Sequence, residues 1–154
     1  MKKSLIAFAV ALLATASLGM GTAIASEIDT CDFHKDSDFG FNFSYDGASQ
    51  GTTGEIKGDT SPVYVKVKEI NGGVNFYVDG NARGRGYDAP WINLTAGTGN
   101  AYCYREGTYS IHSDVVERFG SMAYARLTAI GHKQGGYVKG VWSPDSYQNW
   151  TFLN

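Results

Sequence analysis

Aromatic and small polar residues alternate where the chain first looks able to fold. Phe39, Phe41, Phe43 and Tyr45 take turns with Gly40, Asn42 and Ser44, the period of a β-strand that buries one aromatic face. Asp46-Gly47 supplies a turn, and the Gly/Thr/Ser-rich run Gln50-Gly51-Thr52-Thr53-Gly54 reads as connection. After Pro62, Val63, Val65 and Val67 alternate with Tyr64, Lys66 and Lys68, and the same period resumes beyond Asn71-Gly72-Gly73 at Val74, Phe76 and Val78. Valines should face inward and lysines outward, and the pattern predicts a hairpin over residues 63–78.

The same grammar continues to the end. Asp79-Gly80-Asn81 is a turn, residues 91–95 a short strand, Gly97-Thr98-Gly99-Asn100 a further turn, and residues 101–105 a strand with Tyr102 and Tyr104 on one face. Further strands are expected over residues 108–113, 123–130, 137–142 and 147–153, separated by Glu106-Gly107, Gln134-Gly135-Gly136 and Ser143-Pro144-Asp145. One short helix fits residues 113–118. The alanines within residues 121–130 suit a helix by propensity and a strand by alternation, and the strand is the expectation adopted. Short strands separated by frequent turns make the fold all-β: a single small antiparallel β-sandwich, or a partly open barrel, over residues 39–154.

The N-terminus has a different logic. Met1-Lys2-Lys3 precedes an apolar run from Leu5 to Leu18, and Ala23-Ile24-Ala25 gives the small-x-small pattern of a signal peptidase site. Residues 1–25 are therefore expected to be a signal peptide cut between Ala25 and Ser26. A retained anchor is the rival reading, because no charge occurs between Lys3 and Glu27, but Gly19 and Gly21 suit an extended cleavage segment better than a spanning helix. The expectation is a bacterial protein that is secreted, extracellular or held at the cell surface, with no stable membrane span after cleavage. Residues 26–38, with Glu27, Asp29, Asp32, Asp36 and Asp38, read as an acidic arm ahead of the domain.

Charge narrows the partners. The formal net charge is −2, and the mature chain is more acidic still without Lys2 and Lys3, which argues against nucleic acid. Arg83-Gly84-Arg85-Gly86 is the only tight basic cluster and is best explained as turn decoration. Cys31 and Cys103 could close one disulfide in an oxidising compartment, pinning the arm to the domain, or stand as two separate buried thiols; the bridge is the expectation. The histidines, His34, His112 and His132, sit in no catalytic motif, and the chain is not expected to be an enzyme. A hydrolase would require His112 or His132 to meet an acid and a hydroxyl in a cleft. Asp32, His34, Asp36 and Asp38 have ligand chemistry, yet a solvated acidic arm explains them better, so no metal and no cofactor is assigned.

Aromatic content is the feature that changes the functional picture, with three tryptophans and ten tyrosines. Such rings serve half-wet faces that stack on sugars or dock at interfaces, and they also pair across strands for purely structural reasons. Tyr64, Tyr77, Tyr102, Tyr104, Trp91 and Trp142 are the candidates for a ligand-binding face.

Taken with the signal segment, the Trp91, Tyr102-Cys103-Tyr104 and Gly140-Val141-Trp142 neighbourhoods resemble small exported Gram-positive β-rich proteins of unknown function. They are also loosely similar to lactococcin-type β-sandwich bacteriocins. That resemblance implies export, a β-sandwich and a non-enzymatic protein that binds a cell-envelope component or a competitor cell. The alternative is a structural, matrix or stress-protective extracellular β protein without a specific small ligand. Oligomeric state is not readable from the sequence.

Overall fold

A computed structural model describes residues 35–82, 90–97 and 100–154. The first aromatic alternation becomes β1 (Ser37–Phe43), which buries Phe39, Phe41 and Phe43 and turns Asp38, Gly40 and Asn42 to solvent. There follow β2 (Ser49–Gly51), β3 (Glu55–Lys57), β4 (Val63–Asn71), β5 (Val74–Asn81), β6 (Ile92–Asn93), β7 (Ala101–Cys103), β8 (Gly107–Ile111), α1 (Val115–Phe119), β9 (Ala123–Gly131), β10 (Gly136–Ser143) and β11 (Thr151–Phe152). All described residues belong to one compact unit of the chain.

Two sheets share these strands. The first runs β1-β10-β4-β8-β11 and is antiparallel except where β11 lies parallel to β8. The second runs β2-β9-β5-β6, with β3 also on β9 and β7 also on β5. Their inner faces meet in one core: Val63, Val65, Val67, Val138 and Ile111 come from the first sheet, and Val74, Phe76, Val78 and Leu127 from the second. Phe39 of β1 meets Phe76 of β5 edge to face, with centroids 5.9 Å apart, so the rings bridge the sheets. Ala123, Ala125 and Ala129 keep the inner face of β9 low, and at Gly131 an added Cβ would come within 2.3 Å of the Phe43 ring. Small residues on β9 thus make room for the phenylalanines opposite, the large-against-small fit that a thin sandwich needs.

The expected hairpin over residues 63–78 does not form. β4 belongs to the first sheet and β5 to the second, so Gly72-Gly73 carries the chain across the core as an arch. Gly72 has φ +97°, a conformation that glycine takes without strain. Alternation alone does not separate the two arrangements, because in both of them Val63–Val67 and Val74–Val78 face the same core. The turn from β9 to β10 crosses between sheets in the same way, and among the described strands only β5 and β6 are chain neighbours that pair directly.

Other elements differ in extent. The strand expected over residues 91–95 shrinks to β6 plus an isolated bridge between Thr95 and Ser113, and that over 147–153 shrinks to β11. Tyr45 lies beyond the end of β1 and is 62% exposed, so the buried aromatic face stops at Phe43. β2 and β3 occupy a stretch that reads as connection. β1 takes in Ser37 and Asp38 of the expected arm; residues 1–34, including the signal segment, the Ala25/Ser26 cleavage site and Cys31, lie outside the described residues. No helix of the described residues is long and apolar enough to cross a membrane.

A buried ion pair joins β3 to the corner after β10. The Lys57 ammonium donates to the Ser61 carbonyl (2.5 Å), the Pro144 carbonyl (2.7 Å) and Asp145 Oδ1 (2.9 Å). Asp145 Oδ2 accepts the Gly58 N–H at 2.7 Å. All three ammonium hydrogens and both carboxylate oxygens are therefore used, the condition under which buried charge is tolerated.

Candidate ligand-binding cleft

Edge strand β7 places its residues by parity. Ala101 and Cys103 face the core, and Tyr102 between them points out. Tyr102 crosses the arch at Gly73, where an added Cβ would lie 2.3 Å from its hydroxyl; glycine is what admits the ring. Just beyond β7, Tyr104 stacks on Tyr102 at 5.9 Å and 26°, and the two are 57% and 49% exposed. His132 adds a third ring, 5.8 Å from Tyr102.

Where the chain crosses from β7 to β8 and β11 returns beside β8, a cleft of about 470 Å³ opens, lined by these tyrosines together with Arg105, Thr108, Tyr109 and the β11 segment. The Arg105 guanidinium lies 4.6 Å from the centre of the Tyr104 ring and donates to the Tyr104 hydroxyl. Beneath it, the Arg105 carbonyl accepts from the Tyr109 hydroxyl at 3.1 Å and from the Cys103 thiol at 3.3 Å. The crossover is thus pinned from inside while its side chains face outward. Burial pushes the Cys103 thiol up, so it keeps its hydrogen at neutral pH.

The expected ligand-face residues divide. Tyr102 and Tyr104 come together in the cleft. Tyr64 lies on the first sheet against Trp150, 6.2 Å away, beside a smaller cleft of about 210 Å³ that also includes Asp36, Tyr147 and Gln148. Tyr77 is on the outward side of β5 opposite Thr128, half-buried. Trp91 is packed: its ring would contact a Cβ at Gly54 at 2.4 Å and carries the Arg126 guanidinium at 4.6 Å. Arg126 in turn pairs with Asp79, which also accepts from the Thr128 hydroxyl. Trp142 is a correction, since it is 1% exposed and belongs to the core; it shares parity with Val138 on β10, while Lys139 marks the wet face. Arg105, Tyr109, Thr151 and Leu153 complete the main cleft without any sequence signal beyond the adjacency of Tyr104 and Arg105.

Cys103 is a free buried thiol, its hydrogen taken by the Arg105 carbonyl, and Cys31, its expected bridge partner, lies outside the described residues. His112 lies flat on Phe152, with ring centres 4.0 Å apart, and His132 Nδ1 sits 4.0 Å from exposed Asp46. Among the described residues no group of three or more His, Cys, Asp or Glu is placed to hold a metal ion. Asp32 and His34 fall outside them.

Residues 26–146 match a family described as a protein of unknown function, DUF2712. The match takes in β1 to β10 and stops short of β11. No curated protein and no solved structure matches the chain. With well over half of its length matched, the chain belongs to the DUF2712 family.

Proposed function

We propose that this protein is a secreted, non-enzymatic β-sandwich that binds a component of the bacterial cell envelope through the Tyr102–Tyr104–Arg105 cleft. The observation that carries the reading is the pair of stacked, half-exposed tyrosine rings beside an open cleft. Flat rings with a polar tip suit the faces and hydroxyls of sugar rings, and burying them against a ligand recovers apolar area now in water. Secretion is supported by the signal pattern and by a family match that starts at Ser26, the residue expected to follow cleavage. Action on competitor cells, as in lactococcin-type bacteriocins, is the narrower form of the same proposal.

The test is sedimentation with isolated Gram-positive cell walls. Saturable co-sedimentation of the parent, weakened at least about tenfold in Y102A/Y104A, supports the reading. Equal binding by parent and variant overturns it, and self-association without saturable binding favours the matrix role instead. Secretion is checked by the N-terminal mass of protein from the culture medium, which should begin at Ser26. Inhibition of indicator strains at about micromolar protein supports the narrower form, and no inhibition of any strain removes it.

A further inference from the structure

Resting on that reading of the cleft, we infer that its ligand is anionic: a sugar or polyol chain bearing phosphate or carboxylate, with Arg105 as the anion's partner. Among the described residues Arg105 is the one charged side chain lining the cleft, in a chain whose formal net charge is −2. Among the described residues, Lys57, Lys68, Arg126 and Lys139 each pair with a carboxylate. Among the described residues Arg105 makes no such ion pair; its guanidinium lies on the Tyr104 ring and donates to the Tyr104 hydroxyl. Glu106, next along the chain, does not line the cleft.

Stacking orients the guanidinium before any ligand arrives. A guanidinium that lies on a ring and gives one N–H to its hydroxyl keeps its other N–H donors for a ligand, and a planar fork of such donors matches two oxygens of a phosphate or carboxylate. The remaining lining suits the carrier of the charge. Tyr102 and Tyr104 offer ring faces for a sugar or polyol backbone, and Thr108 and Thr151, which also line the cleft, carry hydroxyls suited to its polar groups. A single cation is too few for a nucleic acid backbone, where affinity grows with the number of phosphates neutralised. A neutral glycan would leave the guanidinium unused.

The experiment uses protein purified from the producing cells and three polymers: poly(glycerol phosphate), polygalacturonate and neutral dextran, with affinity measured by calorimetry at low and high salt. Binding to one or both polyanions that weakens as salt rises, with dextran weaker by at least about tenfold, is expected, and the polyanion preferred identifies phosphate or carboxylate as the source. R105Q should remove that preference. R105K, which keeps the charge but loses the fork, should fall between Gln and Arg. Equal unfolding midpoints of the variants exclude a folding defect. If dextran or whole wall binds as well as the polyanions, Tyr104→Ala weakens it and R105Q does not, the anion is overturned while the cleft stands. If no polymer or wall preparation responds to Y102A/Y104A, the cleft reading itself fails.

Discussion

Lys57 Nζ lies 2.9 Å from Asp145 Oδ1, with neither side chain reaching solvent. The pair ties a three-residue edge strand to the corner that ends β10. Replacing one partner leaves a buried charge without its counterpart, whereas replacing both with apolar groups removes the desolvation problem along with the attraction.

K57M should therefore lower stability by about 3–5 kcal/mol, and K57M/D145L should recover part of the loss, the Ser61 and Pro144 carbonyls and the Gly58 N–H staying without their partners. Urea unfolding of parent, single and double variants measures both quantities. A double variant as weak as the single would mean that the hydrogen bonds and attraction made by the pair, and not the stranded charge, hold the corner.

Gly140 sits where the register between β10 and β4 shifts, opposite Val67. An added Cβ would fall 1.9 Å from the Lys66 carbonyl oxygen, which belongs to backbone and does not swing aside as a side chain does. G140A should cost about 1–3 kcal/mol in unfolding free energy by forcing the central strands of the first sheet apart.

Glu55 has its carboxyl pushed up from 4.5, chiefly by burial, against the opposing pull of a Ser37 hydrogen bond and the Lys35 charge. The folded protein then holds this proton at a pH where the unfolded chain has released it. The group favours the fold most in acid, and its contribution falls as pH rises from 4.5 through the raised value. E55Q, which stays neutral, should raise the thermal midpoint at neutral pH and match the parent below 4.5, a crossover that paired melting curves would show.

Cys103 is buried with its thiol bonded to the Arg105 carbonyl. In a C31S chain, a thiol reagent should leave folded protein unmodified at neutral pH and label one cysteine once denaturant is added. Fast labelling without denaturant would show that the β7 edge opens readily.

Inward and outward faces were legible from alternation: Val65 against Lys66 and Phe76 against Tyr77 are placed as the pattern predicts. Alanine-rich β9 is also a strand as expected, because its small side chains fit under phenylalanines rather than around a helix axis. Sheet membership was not legible. An arch and a hairpin bury the same valines, so the period says nothing about which strands share hydrogen bonds. For Trp142, residue type pointed outward while its parity with Val138 pointed inward, and parity decided. Lys57 had no signal at all, since its partner lies 88 positions away. Of the cleft, Tyr102 and Tyr104 were readable as a pair on one face; Arg105 was not, because its role depends on β11 closing the far side.

The arches set a timetable. β1 pairs with β10 along its whole length, from Ser37 with Trp142 to Phe43 with Gly136. A chain delivered from its N-terminus, by a ribosome or through a translocation pore, therefore cannot join β1 to its first sheet until β10, which ends at Ser143, has emerged. Until then Phe39, Phe41 and Phe43 have no strand beside them, and the loop they must close is almost the length of the domain. The earlier strands stay threadable for as long as delivery lasts, and the sandwich closes in a late step that fixes both ends together.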